Sequence, residues 1–189
     1  VISKVPPNVS SSLGCSRMVV VMKASGEPRR TVDFKSLNMG IPRQAHSTEA
    51  PFHRCSKISP GSFRSVLDAT DGYHSISLHE ADRPYTMFIT KWGRYQYNRL
   101  PQGLLVAGDA YTERMDALTE EFQSCSVRCI DDTCIFGETM RDCFQKTVAF
   151  IIKTGRHGII YNRLKFQFCQ REIDFLGFRV TEQGIKPSE

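Results

Sequence analysis

The sharpest change of hydrophobic and polar character in the chain lies between Val127 and Phe136, where two short apolar runs flank the adjacent acids Asp131 and Asp132. β-Branched and apolar residues on both sides predict two strands, with Asp131-Asp132 as the tight turn of a hairpin. Met18 to Lys23 and Arg30 to Phe34 predict a second hairpin about Ala24 to Pro28, and Tyr85 to Thr90 with Tyr95 to Arg99 a third, across Lys91 to Arg94. Phe63 to Asp68 reads as a strand that runs out into an acid, followed by a corner at Asp71-Gly72 and a half-buried strand through Ile76 and Leu78. Tyr161 to Phe168 is a basic loop or strand. Phe175 to Val180 is a late strand whose internal Gly177 permits close approach by a ligand or a neighbouring strand. Helical spacing appears twice. From Asp109 as N-cap, Tyr111, Met115, Leu118 and Phe122 share a face; from Thr139 as N-cap with Asp142 at N3, the apolar stripe is Phe144, Val148, Ile151 and Ile152, ending at Gly158. Cys55 to Ser59 ends a short helix or turn. The chain is therefore α+β, with the Asp68 strand and the Asp131-Asp132 hairpin in one antiparallel sheet and helices packed on one of its faces.

At 189 residues, 40% hydrophobic and 24% charged, the chain suits one domain or two lobes sharing a core. No clean apolar run exceeds five residues, the length of Met18 to Met22, and no charged-then-apolar leader opens the sequence, so neither a membrane segment nor a secretion signal is expected. A first residue other than Met and an end at Glu189 suggest a piece of a longer polyprotein. Charge is uneven: Val1 to Ser65 carries ten Lys or Arg against Glu27, Asp33 and Glu49, whereas the remainder carries fifteen against seventeen acids. A basic part beside a carboxylate-bearing part suits a polyanion held next to a metal, or is simply a solvated basic face. Seven cysteines with no C-x-x-C pair predict reduced, buried thiols in an intracellular setting, and Cys125, Cys129 and Cys134, without a His among them, argue against zinc.

Two adjacent carboxylates repel and raise one another's pKa unless a cation is held there or water screens them. Asp68, at the end of its own strand, supplies a third acid. Two divalent ions roughly 3.5 to 4 Å apart would meet that charge and clamp the attacking and leaving oxygens of a phosphoryl transfer. Oxygen-only ligands favour Mg²⁺ or Mn²⁺.

Five stretches in order resemble the reverse transcriptases of retroviruses and long-terminal-repeat retrotransposons, of the Ty3/gypsy type. Arg30 to Asn38 resembles the family's fingers strand, Leu67-Asp68 with Asp71 to His74 its first catalytic motif, and Tyr97 to Gly103 the motif lining the nucleotide pocket. Cys129 to Asp132 resembles the Tyr-x-Asp-Asp box, and Phe175 to Phe178 the primer grip. The resemblance implies a right-hand polymerase with fingers over roughly 1–60 and 79–100 and palm over 61–78 and 101–189, with thumb and RNase H absent. It implies metal binding by Asp68, Asp131 and Asp132, with the backbone near Ala69 also facing the metal, and two Mg²⁺ (or Mn²⁺) ions. Tyr73 would be the steric gate against a 2′-hydroxyl, and Gln102 would line the deoxynucleotide pocket. Asp71 and Gly72 belong to the nucleotide-binding corner, and Lys23 and Arg29 would contact the triphosphate. Lys165 would protonate the departing pyrophosphate; Phe175, Leu176, Gly177 and Phe178 would hold the primer. Implied partners are an RNA or DNA template with primer, deoxynucleoside triphosphates and remaining polyprotein domains, in a cytoplasmic virus-like particle or the nucleus. The chain departs from the family at Cys129, where Tyr is usual, and at Gly108, where many members have Pro. A catalytically inactive or domesticated remnant that binds nucleic acid is the alternative. An unrelated two-metal nuclease would need neither the Pro-Gln-Gly pocket nor a primer grip.

Overall fold

Strands form where apolar residues alternate, and a computed structural model describes them for residues 1–8, 14–22, 26, 28–42 and 49–188. They are β1 (Ile2–Lys4), β2 (Ser16–Met22), β3 (Pro28–Asp33), β4 (Phe63–Thr70), β5 (Phe88–Thr90), β6 (Gly93–Tyr97), β7 (Ser126–Cys129), β8 (Asp132–Gly137), β9 (Ile160–Tyr161), β10 (Gln167–Gln170), β11 (Ile173–Phe175), β12 (Phe178–Val180) and β13 (Ile185–Pro187). The helices are α1 (Lys35–Gly40), α2 (Pro51–Cys55), α3 (Ala107–Leu118) and α4 (Met140–Arg156). Two compact units result, one of Val1–Ala45 with Tyr73–Ala110, the other of His46–Gly72 with Tyr111–Glu189. The breaks lie near residues 45, 72 and 110. All seven cysteines are free thiols.

The first unit is built on a five-stranded sheet in the order β1-β6-β5-β2-β3. The β2–β3 hairpin pairs from Arg17↔Asp33 to Met22↔Pro28, so its basic residues Arg29 and Arg30 sit next to the turn. Val32, Phe34, Phe88, Leu100, Leu104 and Ala107 make the core. Two strand boundaries differ from expectation. Tyr85 and Thr86 belong to a 3₁₀ turn over Arg83–Thr86 that Pro84 opens, and the strand begins only at Phe88. The segment through Ile76 and Leu78 follows another 3₁₀ turn, Gly72–Ser75, and offers the sheet a single bridge, Ser77↔Arg99.

The second unit holds an antiparallel sheet, β10-β4-β8-β7, with β9 paired to the end of β4. Helix α4 lies on one face. Thr139 caps it by accepting from the Asp142 N–H at 3.1 Å, as the sequence suggests, but its buried face is Cys143, Thr147, Phe150 and Thr154, one residue around from the expected stripe. Phe144 and Ile152 are exposed instead. The cause is that both threonines satisfy their hydroxyls inside the helix, Thr147 on the Cys143 carbonyl at 2.7 Å and Thr154 on the Phe150 carbonyl at 2.8 Å. A threonine so satisfied packs as a small apolar residue, and Thr147 reaches Ser65 of β4 at 3.1 Å. From the α3 side, Phe122 meets Phe150 edge-on at 5.2 Å and Arg114 donates to the His157 carbonyl at 3.0 Å. α3 itself starts at Ala107, so Asp109 is a first-turn acid rather than the cap.

The opposite face is covered too, by α2 and by the small sheet β11-β12-β13; Cys55, Ile58, Val66, Val127, Cys134, Phe136, Ile173, Phe175 and Val180 form this core. The expected late strand is in fact a hairpin. Phe175 pairs with Phe178 across Leu176 and Gly177, which have φ of +53° and +80°. A two-residue turn with both residues left-handed matches the twist of its strands, and Gly177 serves that turn, with nothing within 4 Å of where a Cβ would stand.

Two glycines test the packing of α4 from opposite directions. A Cβ on Gly137 would lie 2.5 Å from the Cys143 amide nitrogen, which is main chain and cannot swing away. Gly137→Ala should cost about 2–3 kcal/mol in urea unfolding. Gly155, inside the helix with open space around it, should gain about 0.5 kcal/mol on substitution by Ala.

Candidate active site

The ladder between β4 and β8 runs in register from Phe63↔Gly137 to Asp68↔Asp132, so two acids finish as direct cross-strand partners. Side chains so placed have Cβ atoms about 4.5–5.5 Å apart. Asp131 is added by the hairpin. Its turn is Ile130-Asp131 rather than Asp131-Asp132, because Cys129 pairs with Asp132 and leaves only two residues between β7 and β8. Ile130 takes φ +54°, which a β-branched side chain disfavours. The turn is tied to β4 by the Ala69 N–H, which donates to the Asp131 carbonyl at 2.8 Å. A fourth side chain enters from the 3₁₀ turn Arg163–Lys165, where Lys165 Nζ meets Asp68 Oδ2 at 2.9 Å. The Asn162 N–H on the Asp68 carbonyl, also 2.8 Å, anchors that turn.

Burial, with Asp132, Asp68 and Asp71 adding repulsion and Lys165 opposing it, pushes the Asp131 carboxyl up to about 6. Burial and then Asp68 raise Asp132 as well, again against Lys165. The hydrogen bond to Asp68 raises Lys165. Asp131 Oδ1 is buried with no hydrogen-bond partner among the described residues, an open acceptor in a repelling group. Among those residues no set of three His, Cys, Asp or Glu side chains stands gathered as a ligand cluster, and one Asp68 oxygen is engaged by Lys165. In donor chemistry the three carboxylates fit a hard divalent cation: all oxygen, mutually repelling, one oxygen unspent.

The remaining residues singled out by sequence are distributed as follows. Ala69 is buried in β4; Asp71 is exposed with φ +50°, and Gly72 is buried where a Cβ would meet the Tyr111 ring at 2.7 Å. Tyr73 packs, partly buried, against the core of the first unit. Arg29 and Gln102 are brought together there, with Arg29 Nη2 donating to Gln102 Oε1 at 2.5 Å. Lys23 lies outside the described residues. Of the expected primer-holding residues, Phe175 is core at 2% exposed, Leu176 and Gly177 form the hairpin tip, and Phe178 faces Phe52 edge-on at 5.9 Å. Cys129 is half-buried, its thiol raised by burial first and by Asp132, with Arg54 opposing.

Two contributors had no readable sequence signal. Arg54 of α2 donates to the Arg128 carbonyl beside Cys129, and Arg128 in turn pairs with Asp116 of α3, so β7 is braced from both sides. Asn38 of α1 bonds the main chain of the loop that carries Gln102. Both work through backbone carbonyls or amides, which no residue pattern announces.

Known proteins resemble this chain in sequence and in fold. The chain is 27% identical over 165 residues to the enzymatic polyprotein of Cauliflower mosaic virus (strain D/H), covering 87% of this chain and 24% of that protein. It is 31% identical over 168 residues to the retrovirus-related Pol polyprotein from transposon opus of Drosophila melanogaster, covering 87% of this chain and 17% of the relative. The chain thus spans about a quarter or less of the polyproteins it matches. Among solved structures, the foamy viral protease-reverse transcriptase in complex with dsDNA superposes with a TM-score of 0.89 at 20% identity, covering 100% of this chain and 38% of that one. The same viral protein in complex with RNA/DNA hybrid gives 0.85 at 19% identity, over 100% and 25% of the respective chains. These likenesses establish the fingers-and-palm polymerase fold. The family description that matches residues 21–180 is "Reverse transcriptase (RNA-dependent DNA polymerase)", and to that family this chain belongs.

Proposed function

We propose that the chain is the fingers-and-palm part of an RNA-directed DNA polymerase from a polyprotein of the Ty3/gypsy retrotransposon type, and that Asp68, Asp131 and Asp132 organise its nucleotidyl transfer. The observation that carries this is the β4–β8 register, which sets Asp68 opposite Asp132 with Asp131 on the adjoining turn. Similarity to the opus polyprotein supports the retrotransposon origin. The unit containing β2, β3, β5 and β6 is assigned to the fingers and the unit containing β4, β7 and β8 to the palm. Seven free thiols support an intracellular site of action, in a cytoplasmic particle or the nucleus. Among the described residues no helix is long and apolar enough to cross a membrane.

In this reading the primer 3′-hydroxyl attacks the α-phosphorus of a deoxynucleoside triphosphate and pyrophosphate leaves, opposite an RNA or DNA template. The three carboxylates, with the backbone at Ala69, would hold two Mg²⁺ (or Mn²⁺) ions, which would supply charge neutralisation to the transfer. Arg29 and Lys23 take the triphosphate, Gln102 the sugar and base edge, and Tyr73 the face of the sugar where a 2′-hydroxyl would project. Asp71 and Gly72 shape the corner leading to Tyr73. Lys165 donates a proton to the departing pyrophosphate. Its pairing with Asp68 favours the protonated form until that pairing opens. The Leu176-Gly177 tip, backed by Phe175 and Phe178, contacts the primer. Cys129 favours a second reading, a remnant that binds nucleic acid without extending it.

Three outcomes test this. Primer extension with Mg²⁺ or Mn²⁺, by the chain expressed with what its reading frame supplies after Glu189, should fall about 10²–10³-fold in Asp131→Ala by analogy with loss of a principal charge-stabilising group. Activity that survives the change removes the mechanism, and salt-sensitive primer–template binding with no extension by the unmutated protein selects the remnant. Tyr73→Ala should admit ribonucleotides, and unchanged sugar selectivity would take Tyr73 out of the gate.

The third outcome is a pH dependence. A carboxyl whose folded pKa is raised stabilises the fold fully only below its ordinary value of 3.8, and Asp131's contribution is lost as pH rises through about 6. Without metal at pH 7.5, Asp131→Asn should therefore be more stable than the unmutated chain by about 1–2 kcal/mol, a figure reduced for the half-exposed site. The difference should shrink towards pH 5. Millimolar Mg²⁺ should stabilise the unmutated chain at pH 7.5 and leave the variant unchanged. Equal stabilisation of both would place the cation elsewhere.

A further inference from the structure

Asn38 commits both ends of its amide to the main chain of another segment. Half-buried in α1, it donates from Nδ2 to the Gly103 carbonyl at 2.9 Å and accepts at Oδ1 from the Leu105 N–H at 2.8 Å. A donor facing a carbonyl and an acceptor facing an N–H fix the orientation of the amide, since turning it over would set like against like on both sides. Between the two bonds lies Leu104, 9% exposed and packed in the core with Val32 and Phe34. The loop is therefore held by a side chain from outside and by the core from beneath. Gly103, at φ +95°, takes a left-handed backbone that a side chain disfavours, although a Cβ would find only ordinary contacts there, 3.5 Å from the Val32 carbonyl oxygen and 3.6 Å from the Phe34 ring. Gln102 is the residue immediately before this clamp, and its side-chain oxygen is met by Arg29 of β3.

We infer that Asn38 is a positioning residue for the incoming deoxynucleotide, acting through Gln102. Its two bonds set the main chain on one side of Gln102 while Arg29 sets the side chain, so the Gln102 amide is presented in one place before a nucleotide arrives. Without them the Gln102–Leu105 segment has to be ordered at the moment of binding, and that entropy is subtracted from nucleotide affinity. The chemistry itself involves other groups, so the effect falls on KM rather than kcat. The inference rests on the reading in which Gln102 lines the deoxynucleotide pocket.

Two measurements test it, and the first needs no catalysis. Amide hydrogen exchange followed by NMR on the chain should show the Leu105 N–H losing protection in Asn38→Ala, with Val32 in the neighbouring strand unchanged. Equal protection of Leu105 in both proteins would overturn the clamp. In steady-state primer extension, Asn38→Ala should raise KM for deoxynucleotide roughly tenfold, the order expected for two lost hydrogen bonds, with kcat within about twofold. Adding the change to Gln102→Ala should bring no further rise, because both act through one contact. Additive losses, or an unchanged KM, would overturn the positioning role. Asn38→Asp, nearly isosteric, guards against simple misfolding: it keeps the acceptor for Leu105, sets a carboxylate against the Gly103 carbonyl, and should raise KM as well. If no protein in the series extends a primer, the polymerase reading falls, while the exchange result still decides the clamp.

Discussion

One ladder positions the acids of the second unit. Six consecutive pairs between β4 and β8, from Phe63↔Gly137 to Asp68↔Asp132, determine that two acids from segments more than sixty residues apart become neighbours. The register is hard to slip because each strand is buried on both sides of its core portion. Ser65 and Ile135 lie under α4, and Val66, Cys134 and Phe136 face the small sheet and α2. A shift of one residue would turn every one of these side chains to the wrong face. The position of the carboxylates is thus a consequence of core packing some distance away, which is how a costly charged group is kept where it would not settle by itself.

Its cost is visible in two places. Burial raises both Asp131 and Asp132, with Asp132, Asp68 and Asp71 adding to the first and Asp68 to the second, and Ile130 holds a left-handed backbone that isoleucine disfavours. Each is an unfavourable local choice inside an otherwise consistent fold, and such exceptions gather where function demands them. Lys165 relieves part of the charge by pairing with Asp68, but it is an exposed pair, and the lysine sits on a short turn rather than a strand.

The acids, three hairpins and the capped helix were readable in the chain because each is written in local chemistry: alternation, paired carboxylates, Thr139 with Asp142. Errors arose where a side chain's character depended on a partner. Thr147 and Thr154 look polar in sequence yet are core, since the helix absorbs their hydroxyls, so the hydrophobic stripe of α4 was placed one residue off. Gly177 suggested close approach by a ligand or a neighbouring strand and instead makes a two-residue turn, which only the pairing of Phe175 with Phe178 reveals. Arg54 and Asn38 were invisible for the related reason that they bond main-chain atoms, and every residue presents the same main chain.

Cys129 marks the departure from the family's usual residue, and the structure limits what that change can reach. The hairpin does not depend on residue 129 for its shape: Arg54 holds the Arg128 carbonyl, Arg128 pairs with Asp116, and the Ala69 amide holds the Asp131 carbonyl. These contacts lie on three sides of the turn, and none involves the residue 129 side chain. The main-chain bonds that shape the turn are therefore independent of the side chain at position 129, and the sequence conceals them because every residue presents the same main chain.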